Sequence, residues 1–294
     1  MEKTGLIVDE GADLPREIIG KYKIGIVHFK MEWPGIENLP GQNTFQKMRE
    51  AEKRDIQGFG KTSQPSPKDF LDVLKKQFEI FEKILIITIT SKHSGTYNSA
   101  CQAKNFLSPE EQKRVFVIDS SNASGGEGLL VLGAIDLILK GEKSTEEIAA
   151  ELEKLRSNIR LVGMLKNPKW LEASGRISHF LANWIRKMEK IGIRPLIGIK
   201  KGVIKAVGIK KGAKDIPTAL FQELEGETRK LRNQGKKIRV VITHGDNLEI
   251  AQKLKETVEK ELKGAEIAFS NLIDDVLGIL VGPDSLLFAW CEII

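Results

Sequence analysis

The sequence predicts an α/β protein of two domains. The first (1–158) is an N-terminal domain on a parallel sheet, and the second (159–294) is an α+β domain with a mixed or antiparallel sheet. Three observations lead there. Up to about residue 156, short apolar runs alternate with helical patterns, the order that builds a parallel sheet covered on both faces. After residue 159 the pattern changes to a hairpin signal, Lys200-Lys201-Gly202 between two strand-like runs, and two long helical stretches. Finally, 294 residues is about two domains on a prior of roughly 100–200 residues each.

Each element has a local reason. Gly5 to Val8 is a short apolar strand ending in Asp9. Asp13-Leu14-Pro15 reads as a helix start, with Asp13 as N-cap. Ile24 to Phe29 is a second strand. Met31 to Lys61 is rich in Pro, Gly and polar residues, with one short helix over Phe45 to Lys53, and reads as a functional loop or flap. Ser66-Pro67 opens a helix whose stripe runs Phe70, Leu71, Val73, Leu74, Phe78. Ile84 to residue 90 is a buried strand, and Tyr97 to Leu107 a helix. Val115 to Ile118 is a strand, Gly128 to Leu139 a helix, and Ser144-Thr145-Glu146-Glu147 a capping box before another helix. In the second half, Ile159 to Leu165 reads as a strand and Pro168 to Leu171 and Ile177 to Met188 as short helices. Arg194 to Ile199 and Val203 to Ile209 form the hairpin, and Ile216 to Asn233 is a charged helix. The strand Ile238 to Thr243 leads to a helix ending near Leu262. Ile267 to Ile273 is a strand, and the chain closes on a helix carrying Leu286, Leu287 and Trp290.

Composition narrows the function. Hydrophobic residues at 41% and charged residues at 29% describe a globular chain with enough apolar mass for a core. The net charge of +6 comes from Lys and Glu interspersed along helices. Nucleic-acid binding needs basic residues massed on one face or interleaved with aromatics, so no nucleic-acid partner is expected. Cys101 and Cys291 lie far apart in apolar surroundings. With no CxxC or HxxxH spacing, neither a disulfide framework nor a metal or other cofactor is expected, and a reducing, cytoplasmic location fits. The N-terminus lacks a signal peptide's apolar core, and no apolar run approaches the ~20 residues that cross a bilayer, so stable membrane insertion is not expected.

Two hydroxyl clusters hold the chemical interest. Ser94-Gly95-Thr96-Tyr97-Asn98-Ser99-Ala100 joins a buried strand to a helix, which gathers free N–H groups, hydroxyls and the positive end of a helix at one point. Thr62-Ser63-Gln64-Pro65-Ser66-Pro67 lies about thirty residues upstream on the same edge of the strand-helix pattern. Thr62 and Ser94 suit two hydrogen bonds to one carboxylate, and local capping or turn chemistry is the alternative use of the same residues. His93 beside Ser94 invites a hydrolase reading, but GxSxG is absent and neighbours on a turn point apart. His244-Gly245-Asp246 reads as strand end and helix cap. Arg176, after Gly175, suits an anion or a partner's carboxylate, or a helix end. No glycine loop has phosphate-cradle spacing, and no carboxylate pair suggests catalysis.

Together, VDEGADLP, KTSQPSPKDF, SKHSGTYNSA, VFVIDSSNASGGEGLLV, LEASGRIS and THGDNLEIAQKLKE resemble, in order and over nearly the whole chain, the signatures of the DegV family of fatty-acid-binding proteins. The resemblance implies a non-enzymatic, two-domain carrier of one fatty acid. The carboxylate would lie against Thr62, Ser63, Ser94, Gly95 and Thr96, and the acyl chain in a tunnel of the second domain. It also implies a fatty acid kinase as partner, docking at Arg176 and Lys211. Four positions depart from the pattern. Glu10 stands where the first signature has Ser, the Gly-Gly-Arg element reads Ser174-Gly175-Arg176, and Lys211 replaces an Arg. Leu280 occupies the histidine position of the C-terminal Gly-Thr-His segment, and losing a hydrogen bond to a charged group costs about 1.5–3 kcal/mol. Lys166, Arg176 or His179 would have to supply the lost donor. The competing reading is an enzyme on a small anionic substrate, with Ser94 as nucleophile or anchor and Asp9, His93 or Asp119 assisting. A third is a scaffold without a ligand.

Overall fold

The computed structural model describes residues 2–56 and 58–293. The first half forms β1 (Glu2–Asp9), α1 (Arg16–Lys21), β2 (Gly25–Val27), β3 (Lys30–Glu32), α2 (Thr44–Lys53), β4 (Lys61–Ser63), α3 (Pro67–Phe78), β5 (Phe81–Thr88), α4 (Thr96–Asn105), α5 (Pro109–Gln112), β6 (Val115–Asp119), α6 (Ser124–Lys140) and α7 (Thr145–Leu155). The second half forms β7 (Arg160–Met164), α8 (Lys169–Ala173), α9 (His179–Lys190), β8 (Ile193–Lys200), β9 (Val203–Lys211), α10 (Ile216–Asn233), β10 (Ile238–His244), α11 (Leu248–Glu261), β11 (Ala265–Leu272), α12 (Asp275–Val281) and β12 (Leu286–Glu292).

Strands β2-β1-β5-β6 make one wholly parallel sheet. A second sheet, β11-β10-β12-β7-β8-β9, is antiparallel except for the β10–β11 pair. The α/β class and the mixed second sheet are as the sequence predicts. Strands β3 and β4 pair separately as a short antiparallel ribbon.

The molecule is layered around α6. This helix is apolar on nearly every side, as a helix packed between two sheets must be. Val8 and Ile87 of the first sheet, Leu130, Val131 and Ala134 of α6, and Val241, Leu287 and Ala289 of the second sheet belong to one continuous core. Gly125 permits the close approach: a Cβ there would lie 2.5 Å from a Val241 methyl. The outer face of the first sheet packs on α3 and α4 through Ile7, Ile84, Phe70 and Ala100. The outer face of the second packs on α10 and α11 through Phe288, Trp290, Leu224 and Leu254.

Three local expectations are corrected. The segment with Leu286, Leu287 and Trp290 is the strand β12, not a helix; the last helix is α12, which ends at Val281. β12 lies between β10 and β7 and is buried on both faces, so its sequence is a continuous apolar run without a period. Asp13 is not an N-cap. It sits at φ +52°, Pro15 precedes the helix, and the Asp13 carboxylate reaches α6 and α12 instead. Helix α6 begins at Ser124 rather than Gly128. Between β3 and β4, α2 is held by Arg49, which donates to Asp246 (2.6 Å) and Asp284 (2.8 Å).

Candidate functional site

The carboxyl end of β5 points its loop at the tip of the β8–β9 hairpin. Thr90 donates to the Gly202 carbonyl (2.9 Å), and the Ile204 N–H donates to Nε2 of His93 (2.9 Å). The junction of the two sheets encloses a cavity. Its floor is the inner face of the second sheet, with Leu161 and Gly163 of β7, Ile197 and Ile199 of β8, and Leu287 of β12. Its roof is α12, through Leu277 and Leu280, with Leu171 of α8. Phe29 and the first residues of α6, Ala123 and Ser124, complete the walls. All empty space between these atoms, open mouth included, amounts to ≈ 810 Å³.

Polar groups gather at one end. Thr62 on β4 accepts a hydrogen bond from Nη2 of Arg176 (3.2 Å), and Arg176 Nη1 donates to the Ser174 carbonyl (3.3 Å). His93 and Ser94 line the same end. Arg176 is half-buried, and among the described residues no carboxylate pairs with it. Burial alone pushes its pKa below the ordinary arginine value. His93 also has its pKa lowered, by burial and by the Arg176 charge. Its Nε2 accepts the Ile204 N–H, so the neutral ring carries its proton on Nδ1.

Ser94 stands one residue before the Gly95 cap of α4. Its oxygen accepts the Thr96 N–H (3.3 Å) and pairs with the Thr96 hydroxyl (2.7 Å). Thr96 is fully buried beneath Ser94 and outside the cavity lining. Gly95 packs on Gln64, whose amide donates to Ser99; a Cβ on Gly95 would fall 2.0 Å from Gln64 Oε1. Ser63 is exposed, as alternation along β4 requires when Thr62 faces inward. The structure thus brings Thr62, Ser94 and Arg176 to one cavity, with Gly95 and Thr96 as support for Ser94.

Lys211 does not join them. It is exposed at the far end of β9, seven residues beyond Ile204, which is roughly 23 Å of strand. Leu280 faces the cavity. Of the three donors considered in its place, Lys166 is exposed, and exposed His179 is bound to Glu172 (2.5 Å) and Asn183 (2.7 Å). Arg176 alone lines the cavity.

Asp119, Asp9, Asp13, Glu10, Asp246 and Asn247 have structural partners. Asp119 accepts from the Ser91 hydroxyl (2.6 Å) and the Ser121 N–H (2.7 Å). Asp9 accepts the Ile89 and Gly11 N–H groups (2.8 and 3.0 Å), and burial pushes its pKa up to about 7. Asp13 takes the Ser124 hydroxyl and the Asp274 N–H, with its pKa pushed by burial to about 8. Glu10, at the departure from the Ser signature, accepts the Phe29 N–H (2.7 Å) and pairs with His28 (2.6 Å), fixing a cavity wall. Asp246 is bound by Arg49 and Asn43, while Asn247 caps α11. Among the described residues no group of His, Cys, Asp or Glu is arranged to hold a metal ion. Phe29, Leu171, Ile199 and Ile204 line the cavity with no signal in the sequence that marks them. His93 alone had a signal, its place beside Ser94.

Comparison with known proteins identifies relatives of the whole chain. The chain matches the family model described as "Uncharacterised protein, DegV family" over residues 3–292. It is 29% identical over 291 residues to a Thermotoga maritima protein named fatty acid-binding protein, covering 97% of this chain and 96% of that one. A DegV domain-containing protein of Clostridium acetobutylicum is 32% identical over 242 residues, 76% of this chain and 79% of that one. Among solved structures, a DegV family protein from Thermus thermophilus, described by its fatty acid binding, superposes with a TM-score of 0.79 at 26% identity over 99% of each chain.

Proposed function

This chain belongs to the DegV family, and from that premise we propose that it binds a long-chain fatty acid, or a similar amphiphilic carboxylate, without transforming it. It then presents the acid to a kinase partner that forms the acyl phosphate. One observation carries the binding reading. A half-buried arginine with no carboxylate partner among the described residues shares a threonine hydroxyl at the polar end of an otherwise apolar cavity. A cation desolvated in this way is stabilised by an incoming anion, and an acyl chain suits the remaining walls.

In this reading Arg176 and the Thr62 and Ser94 hydroxyls hold the carboxylate. The Ser94 oxygen accepts the Thr96 N–H and shares a hydrogen bond with the Thr96 hydroxyl; with the Thr96 hydroxyl as donor, the Ser94 proton is left for the ligand. The N-terminus of α4 follows Ser94 at this end and adds positive potential. Ser63 and Gly95 shape the loops that carry these groups. The acyl chain lies between the floor of the second sheet and α12, where each buried CH₂ contributes about 0.8 kcal/mol. The proposed division at 158/159 is supported by the sheets, since each draws strands from one side of it only. A cytoplasmic location is proposed on the free thiols of Cys101 and Cys291. Among the described residues no helix is long and apolar enough to cross a membrane.

An enzyme at Ser94 needs a base within reach of its hydroxyl. The partners of Ser94 are the Thr96 hydroxyl and N–H, His93 Nε2 is occupied by Ile204, and Asp9 and Asp119 are engaged elsewhere. This arrangement favours binding. The docking roles of Arg176 and Lys211 are separate proposals. Arg176, at the cavity, is available to a partner only where the head group is presented, and Lys211 requires a kinase footprint extending along β9.

The test is native mass spectrometry of the purified protein, then solvent extraction. Stoichiometric fatty acid released on denaturation is the expected result. A bare chain that takes up neither added palmitate nor oleate overturns the proposal.

A further inference from the structure

We propose that the cross-strand pair Gly163–Leu287 forms the end wall of the cavity and so sets the longest acyl chain it accepts. The inference rests on the binding function proposed above. Leu287 and Gly163 are directly opposed in the β12–β7 ladder, and both face the cavity. A Cβ on residue 163 would fall 2.4 Å from Leu287 Cδ2, so the leucine methyl occupies the place that a side chain at 163 would take. Only glycine lets Leu287 lie down on the strand beside it.

Beyond Leu287 the inner face of the sheet is closed. Its other neighbour, Thr243, is hydrogen-bonded to Ser124 (2.7 Å), and the next row, Val241 and Ala289, lies so close under α6 that a Cβ on Gly125 would fall 2.5 Å from a Val241 methyl and 3.5 Å from the Ala289 Cβ. Toward β8 the floor continues open through Ile197 and Ile199. Leu287 is therefore the boundary between open floor and floor sealed by α6. Adding a methyl at 163 drives Leu287 into the cavity. Truncating Leu287 extends the cavity toward the Thr243–Ser124 hydrogen bond.

The test compares the wild-type protein with Gly163→Ala and Leu287→Ala. Titration calorimetry would use saturated acids from octanoate to eicosanoate and the primary alcohols of the same lengths. Wild-type affinity should rise about fourfold per methylene, the equivalent of about 0.8 kcal/mol, and then stop at a limiting length. In Leu287→Ala, which removes three carbons, the limit should move to chains longer by roughly two methylenes. In Gly163→Ala it should move to shorter ones. Because the Leu286 carbonyl also lies 3.1 Å from the new methyl, Gly163→Ala can fail to fold, and Leu287→Ala then decides alone. An unchanged limit in Leu287→Ala overturns the inference and leaves the binding function standing. Alcohols bound with a shifting limit while acids are refused support the end wall and remove the carboxylate reading. A wild-type protein that takes neither series overturns both.

Discussion

Replacing Arg176 with methionine separates head-group recognition from chain burial. The guanidinium donates to Thr62 and to the Ser174 carbonyl, and no carboxylate among the described residues is left unpaired when it goes. Methionine keeps the stem against the cavity wall and removes the charge. A hydrogen bond to a charged group contributes about 1.5–3 kcal/mol, so the acid should bind about ten- to a hundredfold more weakly. The alcohol of equal length, which never used the charge, should change by less than about threefold. Stability should move the other way. Burial disfavours the charged form of Arg176, so the unliganded variant should melt no lower than the parent, and slightly higher if the wall stays packed. Calorimetry with palmitate and hexadecanol, beside thermal melts, reads all three quantities. Acid affinity unchanged in Arg176→Met refutes the reasoning. Acid and alcohol weakened together also refute it, because that pattern marks a distorted cavity. A double-mutant cycle with Thr62→Val should show a coupling of about 0.5–3 kcal/mol toward the acid.

Other perturbations have defined outcomes. Leu280→His places a donor on the cavity roof, so acid affinity should rise about tenfold in calorimetry, while the unliganded melting temperature falls because an unpaired imidazole is costly in an apolar cavity. Arg49→Ala leaves Asp246 and Asp284 without their bridge and releases α2 from the loops beside α12. The cost should be about 2 kcal/mol, read from the urea midpoint at unchanged slope. Asp9 (pKa about 7), Asp13 (about 8) and Glu127 (raised well above its ordinary value) are all raised chiefly by burial, so the folded chain holds protons that the unfolded chain releases. Their contribution is full below about pH 4 and is lost as pH rises through about 7 to 8. The melting temperature should therefore fall over that window, and less steeply in Glu127→Gln, which removes a buried carboxyl with no hydrogen-bond partner among the described residues. An identical slope in Glu127→Gln would count against the assignment.

Local signals in the sequence were reliable wherever the determining contacts are local. The Ser66-Pro67 helix start, the Ser144 capping box, the Lys200–Gly202 hairpin turn and the stripe of α3 all appear where their residues place them. Legibility failed where burial is two-sided or partners are distant. β12 is apolar on both faces because it is a central strand, which removes the period that tells strand from helix. Asp13 has the chemistry of a cap, yet residues 111 and 261 positions further on take its carboxylate. In the site, Thr62 and Ser94 were readable as hydroxyls beside a strand-to-helix turn. The contact of Arg176 with Thr62 spans 114 positions and has no sequence signal of its own. The apolar floor comes from strands whose inner residues look like any buried residue.

The balance between the two ends of the cavity decides what kind of ligand it can hold. A half-buried arginine with two hydroxyls gives a small anion only a few kcal/mol, because each charged hydrogen bond is worth about 1.5–3 kcal/mol and association itself costs at least about 4 kcal/mol. Acetate or phosphate at this point would be held at millimolar strength. A dozen buried methylenes contribute about 10 kcal/mol gross, so the chain supplies the affinity and the polar end supplies the orientation. The same comparison explains how Leu280 is tolerated. A histidine there would add one more donor to a carboxylate already facing a cation, whereas leucine extends the apolar roof above Leu161 and Ile197 and strengthens the term that dominates binding. In the proposed reading Arg176 supplies the charge that fixes which way the acid points, and the buried acyl chain offsets the charge-assisted hydrogen bond that a histidine at position 280 would add.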